Sequence, residues 1–262
     1  MCLQSIPGQL FLTIMTKQFS QENLEIIAGP CAVESKEQIL KTAEFLQKAG
    51  LKIMRGSIHK PRTTADSFQG VGNEGLSWIK EAKEKHDLKW LTEITDSSQI
   101  RDMEAVVDFW QVGARNMQNY ELLKALAQQD KPVFLKRGLA ADLKDWLGAA
   151  SYLKVDKNPE VVLVERGIRT FSDSSRFTLD LAAVNKIRRE TDYTVFVDPS
   201  HAAGEVPLVE PLALAGVVAG ASGLVVEIHP QADKALCDGQ QMLDFTEMEK
   251  LIEKVQAVSK LA

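Results

Sequence analysis

Short runs rich in Val, Ile and Leu recur along the chain at 25–28, 52–54, 90–94, 109–112, 133–136, 161–165, 194–197 and 224–228. They are continuously apolar rather than alternating, the mark of strands buried on both faces. Between them lie segments with amphipathic helical spacing. Ile39, Ala43, Phe45, Leu46 and Ala49 form one such face, which opens at a Ser35 to Gln38 capping box and stops at Gly50. Others span 74–85, 98–106, 119–128, 139–152, 176–189, 206–219 and 246–259. A buried strand followed by a helix, eight times over, predicts an α/β chain whose parallel sheet closes as a (β/α)8 TIM barrel. The barrel is expected as a single domain over 25–262, preceded at 1–24 by a leader or short hairpin, with Met15 a candidate initiator. An open doubly wound sheet would announce itself by a Gly-rich phosphate turn. Ala28-Gly29-Pro30-Cys31 is no such turn.

Composition narrows the function. A net charge of -5 and a pI near 5.5 disfavour nucleic acid and anionic membranes, which select basic surfaces. No apolar run approaches the ~20 residues that cross a bilayer. Cys2, Cys31 and Cys237 are too few and too scattered for a disulfide framework, so a reducing, cytoplasmic setting is expected. The cations that matter should therefore be local and concave.

A barrel gathers the carboxyl ends of its strands at one mouth. Read in order, those ends carry Cys31, Arg55, Glu93, Arg115, Lys136, Arg166, Asp198 with His201, and Glu227. The loop after the second strand adds Lys60 and Arg62 around Pro61. Drawing charge into a crevice costs desolvation energy unless a partner or ligand meets it. The cations Arg55, Lys60, Arg62, Arg115, Lys136 and Arg166 suit a substrate with several negative charges, gripped bidentately by the arginines. Crowded like charges are most readily tolerated where an anion will neutralise them. A solvated basic loop is the competing reading of any three of them.

Cys31, His201, Glu227 and Asp238 form a second group, able to hold a divalent first-row metal. Glu227 ends an otherwise uncharged strand, which is costly without a cation. Pro199 should force a turn that aims His201 over the mouth. Cys237 could ligate in place of Asp238, and Asp233 is near. His229 reads as a packing or supporting residue, and His59 and His86 as structural or exposed.

The runs Ala28-Gly29-Pro30-Cys31, Lys60-Pro61-Arg62-Thr63, Ser67-Phe68-Gln69-Gly70, Gly113-Ala114-Arg115-Asn116, Leu135-Lys136-Arg137-Gly138, Glu165-Arg166-Gly167 and Asp198-Pro199-Ser200-His201 resemble the 3-deoxy-D-arabino-heptulosonate 7-phosphate (DAHP) synthases. The likeness runs from Glu25 to the last helix, within the compact subgroup related to the octulosonate-phosphate synthases. It implies a metal-dependent transferase that condenses phosphoenolpyruvate with erythrose 4-phosphate at the head of the shikimate pathway, releasing phosphate. By the same resemblance Arg115, Lys136 and Arg166 would hold the phosphate of phosphoenolpyruvate, and Arg55 and Lys60 its carboxylate. Arg62, Thr63, Asp198 and Ser200 would serve the aldose phosphate. Lys60, Glu93 and His201 would be catalytic, and Cys31, His201, Glu227 and Asp238 would bind a metal of the Mn, Fe, Co or Zn type. A homo-oligomer, dimer or tetramer, is expected, with apolar Leu212 to Val218 as room for a subunit contact.

Two places depart from the usual wording. Ser57-Ile58-His59 stands where Gly-Ala-Phe is common, and Thr64-Ala65-Asp66 where Ser-Pro-Tyr is common. Both flank the cations and bear on the fit of the sugar. A synthase using arabinose 5-phosphate would typically read Lys-Ala-Asn-Arg where this chain has Lys60-Pro61-Arg62-Thr63. A metal-dependent aldolase and a non-catalytic sugar-phosphate sensor are the rivals from other classes.

Overall fold

The structure, a computed structural model, describes residues 17–20, 23–62, 64–157 and 159–261. Eight parallel strands close in chain order into a barrel: β1 (Glu25–Gly29), β2 (Ile53–Arg55), β3 (Lys89–Ile94), β4 (Phe109–Val112), β5 (Val133–Lys136), β6 (Val161–Glu165), β7 (Thr194–Val197) and β8 (Gly223–Glu227). β8 returns to β1 in register, Glu25 opposite Gly223 and Gly29 opposite Glu227. Around them run α1 (Lys36–Lys48), α2 (Glu74–His86), α3 (Ile100–Met103), α4 (Tyr120–Ala127), α5 (Leu143–Tyr152), α6 (Leu181–Glu190), α7 (Pro199–Ala203), α8 (Val206–Val218) and α9 (Phe245–Ser259).

Strand ends fall within about a residue of the sequence reading, and helix starts shift where a cap decides. Asp142 accepts from the Asp145 amide and Asp180 from the Ala183 amide, so α5 and α6 begin at Leu143 and Leu181, later than the spacing predicts. The expected 98–106 helix is a turn at Ser97–Gln99 followed by the single turn of α3, because the chain must reach β4 at Phe109. Ser35 caps α1 by accepting from the Gln38 amide, but Gln38 reaches back to the Glu34 amide rather than completing the box on Ser35.

Alternation along each strand sorts the core into two layers. Ile26, Ala28, Met54, Trp90, Trp110, Leu135, Leu163 and Val197 face the helices. Ile27, Ile53, Leu91, Phe109, Phe134, Val162, Val164, Phe196 and Val225 fill the barrel with Phe19. Phe19 meets Phe109, Phe134 and Phe196 edge-on, with centroids 5.4, 5.1 and 5.7 Å away. Its amide and that of Gln18 donate to Glu160, and its carbonyl accepts from Thr194 Oγ1. Of the expected leader or hairpin over 1–24, residues 1–16 and 21–22 lie outside the described residues. Its described residues 17–20 and 23–24 form no strand, and Phe19 belongs to the barrel core. Burying one aromatic side chain there favours folding by roughly 1.5–3 kcal/mol.

Candidate active site

The alternation that buries the inner layer continues toward the mouth. Two residues beyond Ile27, Ile53, Leu91, Phe109, Phe134, Val164, Phe196 and Val225 stand Gly29, Arg55, Glu93, Gln111, Lys136, Arg166, Asp198 and Glu227. One parity therefore places apolar groups below and polar groups above on every strand but the first. Lys60 and Arg62 follow β2, Arg115 sits on the turn after β4, and His201 rides on α7.

Pro199 does more than force the expected turn. It is the first residue of α7, and Asp198 is its N-cap, accepting the His201 amide at 2.9 Å through Oδ1. Asp198 Oδ2 lies 2.6 Å from Lys136 Nζ and 2.7 Å from His201 Nδ1. Oδ2 thus meets the imidazole and a cation at once, while Oδ1 holds the backbone of His201. Burial would raise this carboxyl, but His201 and Lys136 hold it well below the usual carboxylate range. For His201 burial prevails and pushes the imidazole down, toward the neutral form that can ligate.

Lys60 Nζ bonds Glu93 at 2.7 Å, with both side chains buried. Burial alone would neutralise the pair; the surrounding charges reverse it, raising Lys60 and lowering Glu93. Gly113 gives this pair room, because a Cβ at that position would force Glu93 Oε1 to shift. Arg55 pairs with Glu227 at the barrel axis. So the crowded cations are not left for a ligand alone: Arg55, Lys60 and Lys136 each already face a carboxylate.

A cavity of about 150 Å³ opens above these pairs, lined among others by Lys60, Arg62, Arg115, Lys136, Arg166 and Arg176. Glu93, His201 and Asp238 also line it. Arg166 is 5% exposed, its Nη1 has no hydrogen-bond partner among the described residues, and its guanidinium lies 4.3 Å from the centroid of Phe177. A buried guanidinium without a carboxylate is costly until an anion meets it.

Cys31 Sγ, His201, Glu227 and Asp238 each offer a donor atom, all within 4.8 Å of one another. Cys31 Sγ is 3.0 Å from Asp238 Oδ2, and His201 Nε2 is 3.5 Å from Glu227 Oε1. Two carboxylates, a thiol and an imidazole converging in so small a space repel or compete unless a cation joins them, which is the fit expected of a divalent metal. Cys237 also approaches Asp238 Oδ2, at 3.4 Å, and meets Arg62 Nη1 through its sulfur. A bond to Cys237, burial and the charge of Glu227 push the Cys31 thiol upward. Asp233 lies outside the donor set.

Three of the expected contact residues sit below the cavity. Arg55, Asp198 and Ser200 do not line the cavity: all three are buried, and their polar groups turn inward to Glu227, to Lys136 and His201, and to the Glu227 amide. Arg55 keeps one buried nitrogen, Nη2, without a hydrogen-bond partner among the described residues. Thr63 lies outside the described residues. Sequence reasoning missed Gln111, Arg176, Phe177 and Gln241. Gln111 was legible from its parity with Phe109, whereas Arg176 was assigned to a helix that begins only at Leu181.

Comparison with known proteins agrees with this geometry. The model of the DAHP synthetase I family matches residues 16–262. A Thermotoga maritima phospho-2-dehydro-3-deoxyheptonate aldolase is 44% identical over 237 residues, covering 90% of this chain and 69% of the relative. The crystal structure of the enzyme of that name from the same organism superposes with a TM-score of 0.89 at 40% identity, covering 93% of this chain and 71% of its own. A 2-dehydro-3-deoxyphosphooctonate aldolase of Desulfotalea psychrophila is 30% identical over 257 residues, 91% of each chain. The chain belongs to the DAHP synthetase I family.

Proposed function

We propose that this family member condenses phosphoenolpyruvate with erythrose 4-phosphate and water, giving 3-deoxy-D-arabino-heptulosonate 7-phosphate and inorganic phosphate, the first step of the shikimate pathway. The observation that carries the reading is the buried Arg166, whose Nη1 has no hydrogen-bond partner among the described residues, on a cation-lined cavity that His201 and Asp238 of the four-donor set also line. Two anions must be brought together there against their repulsion, and fixed cations lower that barrier.

Arg115, Lys136 and Arg166 take the phosphate of phosphoenolpyruvate, and Lys60 its carboxylate. Arg62 with Thr63 takes the aldose phosphate. Cys31, His201, Glu227 and Asp238 would hold a divalent ion, of the Mn, Fe, Co or Zn type. Such an ion supplies Lewis acidity that polarises a carbonyl oxygen. In the chemical step C3 of the enol bonds the aldehyde carbon, water adds at C2, and the C2 oxygen leaves with phosphate. In this reading Lys60, kept protonated, gives the proton that the aldehyde oxygen gains, and Glu93, kept ionised, orients the water with Gln111.

The metal-loaded protein should consume phosphoenolpyruvate only with an aldose phosphate, releasing one phosphate per condensation. Faster turnover of arabinose 5-phosphate than of erythrose 4-phosphate would shift the assignment to the octulosonate branch, and condensation without phosphate release to an aldolase. We assign the reaction to the cytoplasm, a compartment in which Cys31 and Cys237 stay free thiols. Self-association as a dimer or tetramer is supported by the outward stripe of α8, where Pro207, Pro211 and Val218 are exposed. Light scattering tests it.

A further inference from the structure

Glu227 faces two ways. Its Oε1 meets Arg55 and lies 3.5 Å from His201 Nε2, while Oε2 accepts from Gln241 Nε2 at 2.6 Å. Gln241 is fully buried, and its other amide atom, Oε1, accepts from Arg176 Nη1 at 2.9 Å. Arg176 is exposed and lines the anion cavity beside Arg166, the two sharing the ring of Phe177 at 5.5 and 4.3 Å. A single buried amide therefore joins a cavity guanidinium to a carboxylate of the donor set.

Backbone on both sides fixes this bridge. The Gln241 amide donates to the Asp238 carbonyl, so bridge and donor share one turn, and the Leu243 amide donates to the Glu227 carbonyl alongside β8. At the other end the Arg176 and Phe177 amides donate to Ala203 and Ala202 on α7, the helix that carries His201. Gly204, at φ 77, lets Arg176 lie against that helix, since a Cβ there would collide with the arginine stem. A primary amide suits the middle position, because one end donates to a carboxylate and the other accepts from a guanidinium.

We propose that Gln241 is a positioning residue that couples anion binding at Arg176 to the orientation of Glu227, so that anion and metal bind cooperatively through it. An anion that draws Arg176 into one rotamer fixes the amide, and the amide holds Oε2 so that Oε1 stays with the donors. Linkage requires the converse: a metal that orders Glu227 raises the affinity for the anion. The inference rests on the metal assignment above, and its test separates the two.

Cobalt(II) serves as probe, titrated calorimetrically and by its absorption spectrum, with and without inorganic phosphate. In the unaltered protein phosphate should tighten cobalt binding several-fold. Gln241→Met keeps the volume and removes both bonds; cobalt should bind about 10–100-fold more weakly, and phosphate should no longer tighten it. Arg176→Gln covers the case in which Gln241→Met fails to fold, because residue 176 is exposed. Removing a cation would on charge alone tighten cobalt, so weaker binding there reports the hydrogen-bonded path. Cobalt affinity and phosphate response unchanged in both variants would overturn the coupling while leaving the metal site intact. An unaltered protein that binds no cobalt would overturn the metal assignment and the coupling together.

Discussion

The two ends of the barrel are built on one alternation and meet opposite demands. At the lower end Ile27, Ile53, Leu91, Phe109, Phe134 and Phe196 interlock around Phe19, and volume alone satisfies them. Two residues higher, Arg55 pairs with Glu227, Lys136 with Asp198, and Glu93 with Lys60 of the following loop. A well-packed apolar layer stabilises outright, whereas buried ion pairs return little of their desolvation cost. The lower layer thus supports a fold in which the upper layer is kept for chemistry. Stability and activity should accordingly separate by layer.

The largest effect tests the top. Excess chelator, or Cys31→Ala with any added metal, should reduce turnover by about a thousand-fold or more, the several kcal/mol that Lewis-acid activation supplies, while circular dichroism is unchanged. Full activity in chelator would dissolve the contrast, for the donor set would then be structural. Phe134→Ala tests the bottom: a loss of about 3–5 kcal/mol in urea unfolding, with KM for both substrates unaltered while the protein is folded. A shifted KM would mean that the layers communicate.

Arg166→Met sharpens the upper layer itself. Loss of charge-assisted bonds worth roughly 1.5–3 kcal/mol should raise the KM for phosphoenolpyruvate about 10- to 100-fold and largely spare stability, since among the described residues no carboxylate is ion-paired to this guanidinium. An unchanged KM would move the phosphate elsewhere. The smallest effect is one of pH. Burial would raise Glu93, but Lys60, Lys136 and Arg55 together lower it in the folded protein. Its contribution to stability is therefore present above its unfolded pKa, roughly 4.3, and is lost as pH falls through the folded value. Unfolding free energy should decline more steeply in acid for the unaltered protein than for Glu93→Gln. Equal slopes would remove Glu93 from the account.

Much of this was legible in the residues. The eight apolar runs specified the strands, and a parallel sheet of that count closes as it did. The donors Cys31, His201, Glu227 and Asp238, scattered over more than two hundred positions, converge as their strand ends required. Helix starts were less legible, since Asp142 and Asp180 override the apolar spacing that extends before them. Arg55 illustrates a deeper limit: a strand-end arginine reads alike whether it faces a substrate or a neighbour's carboxylate.

Order along the chain, alternation and chemical type are local properties, and the sequence by itself settled them: the barrel, its apolar floor and the ring of charge at its rim. Pairing is a property of distance between strands, and only the closed barrel decided that Arg55 would be absorbed by Glu227, that Asp198 would serve Lys136 and His201 together, and that Gln241 would span Glu227 and Arg176. The reason is electrostatic. A buried charge takes whichever partner the fold brings within hydrogen-bond reach, and that reach is set by neighbours remote in sequence.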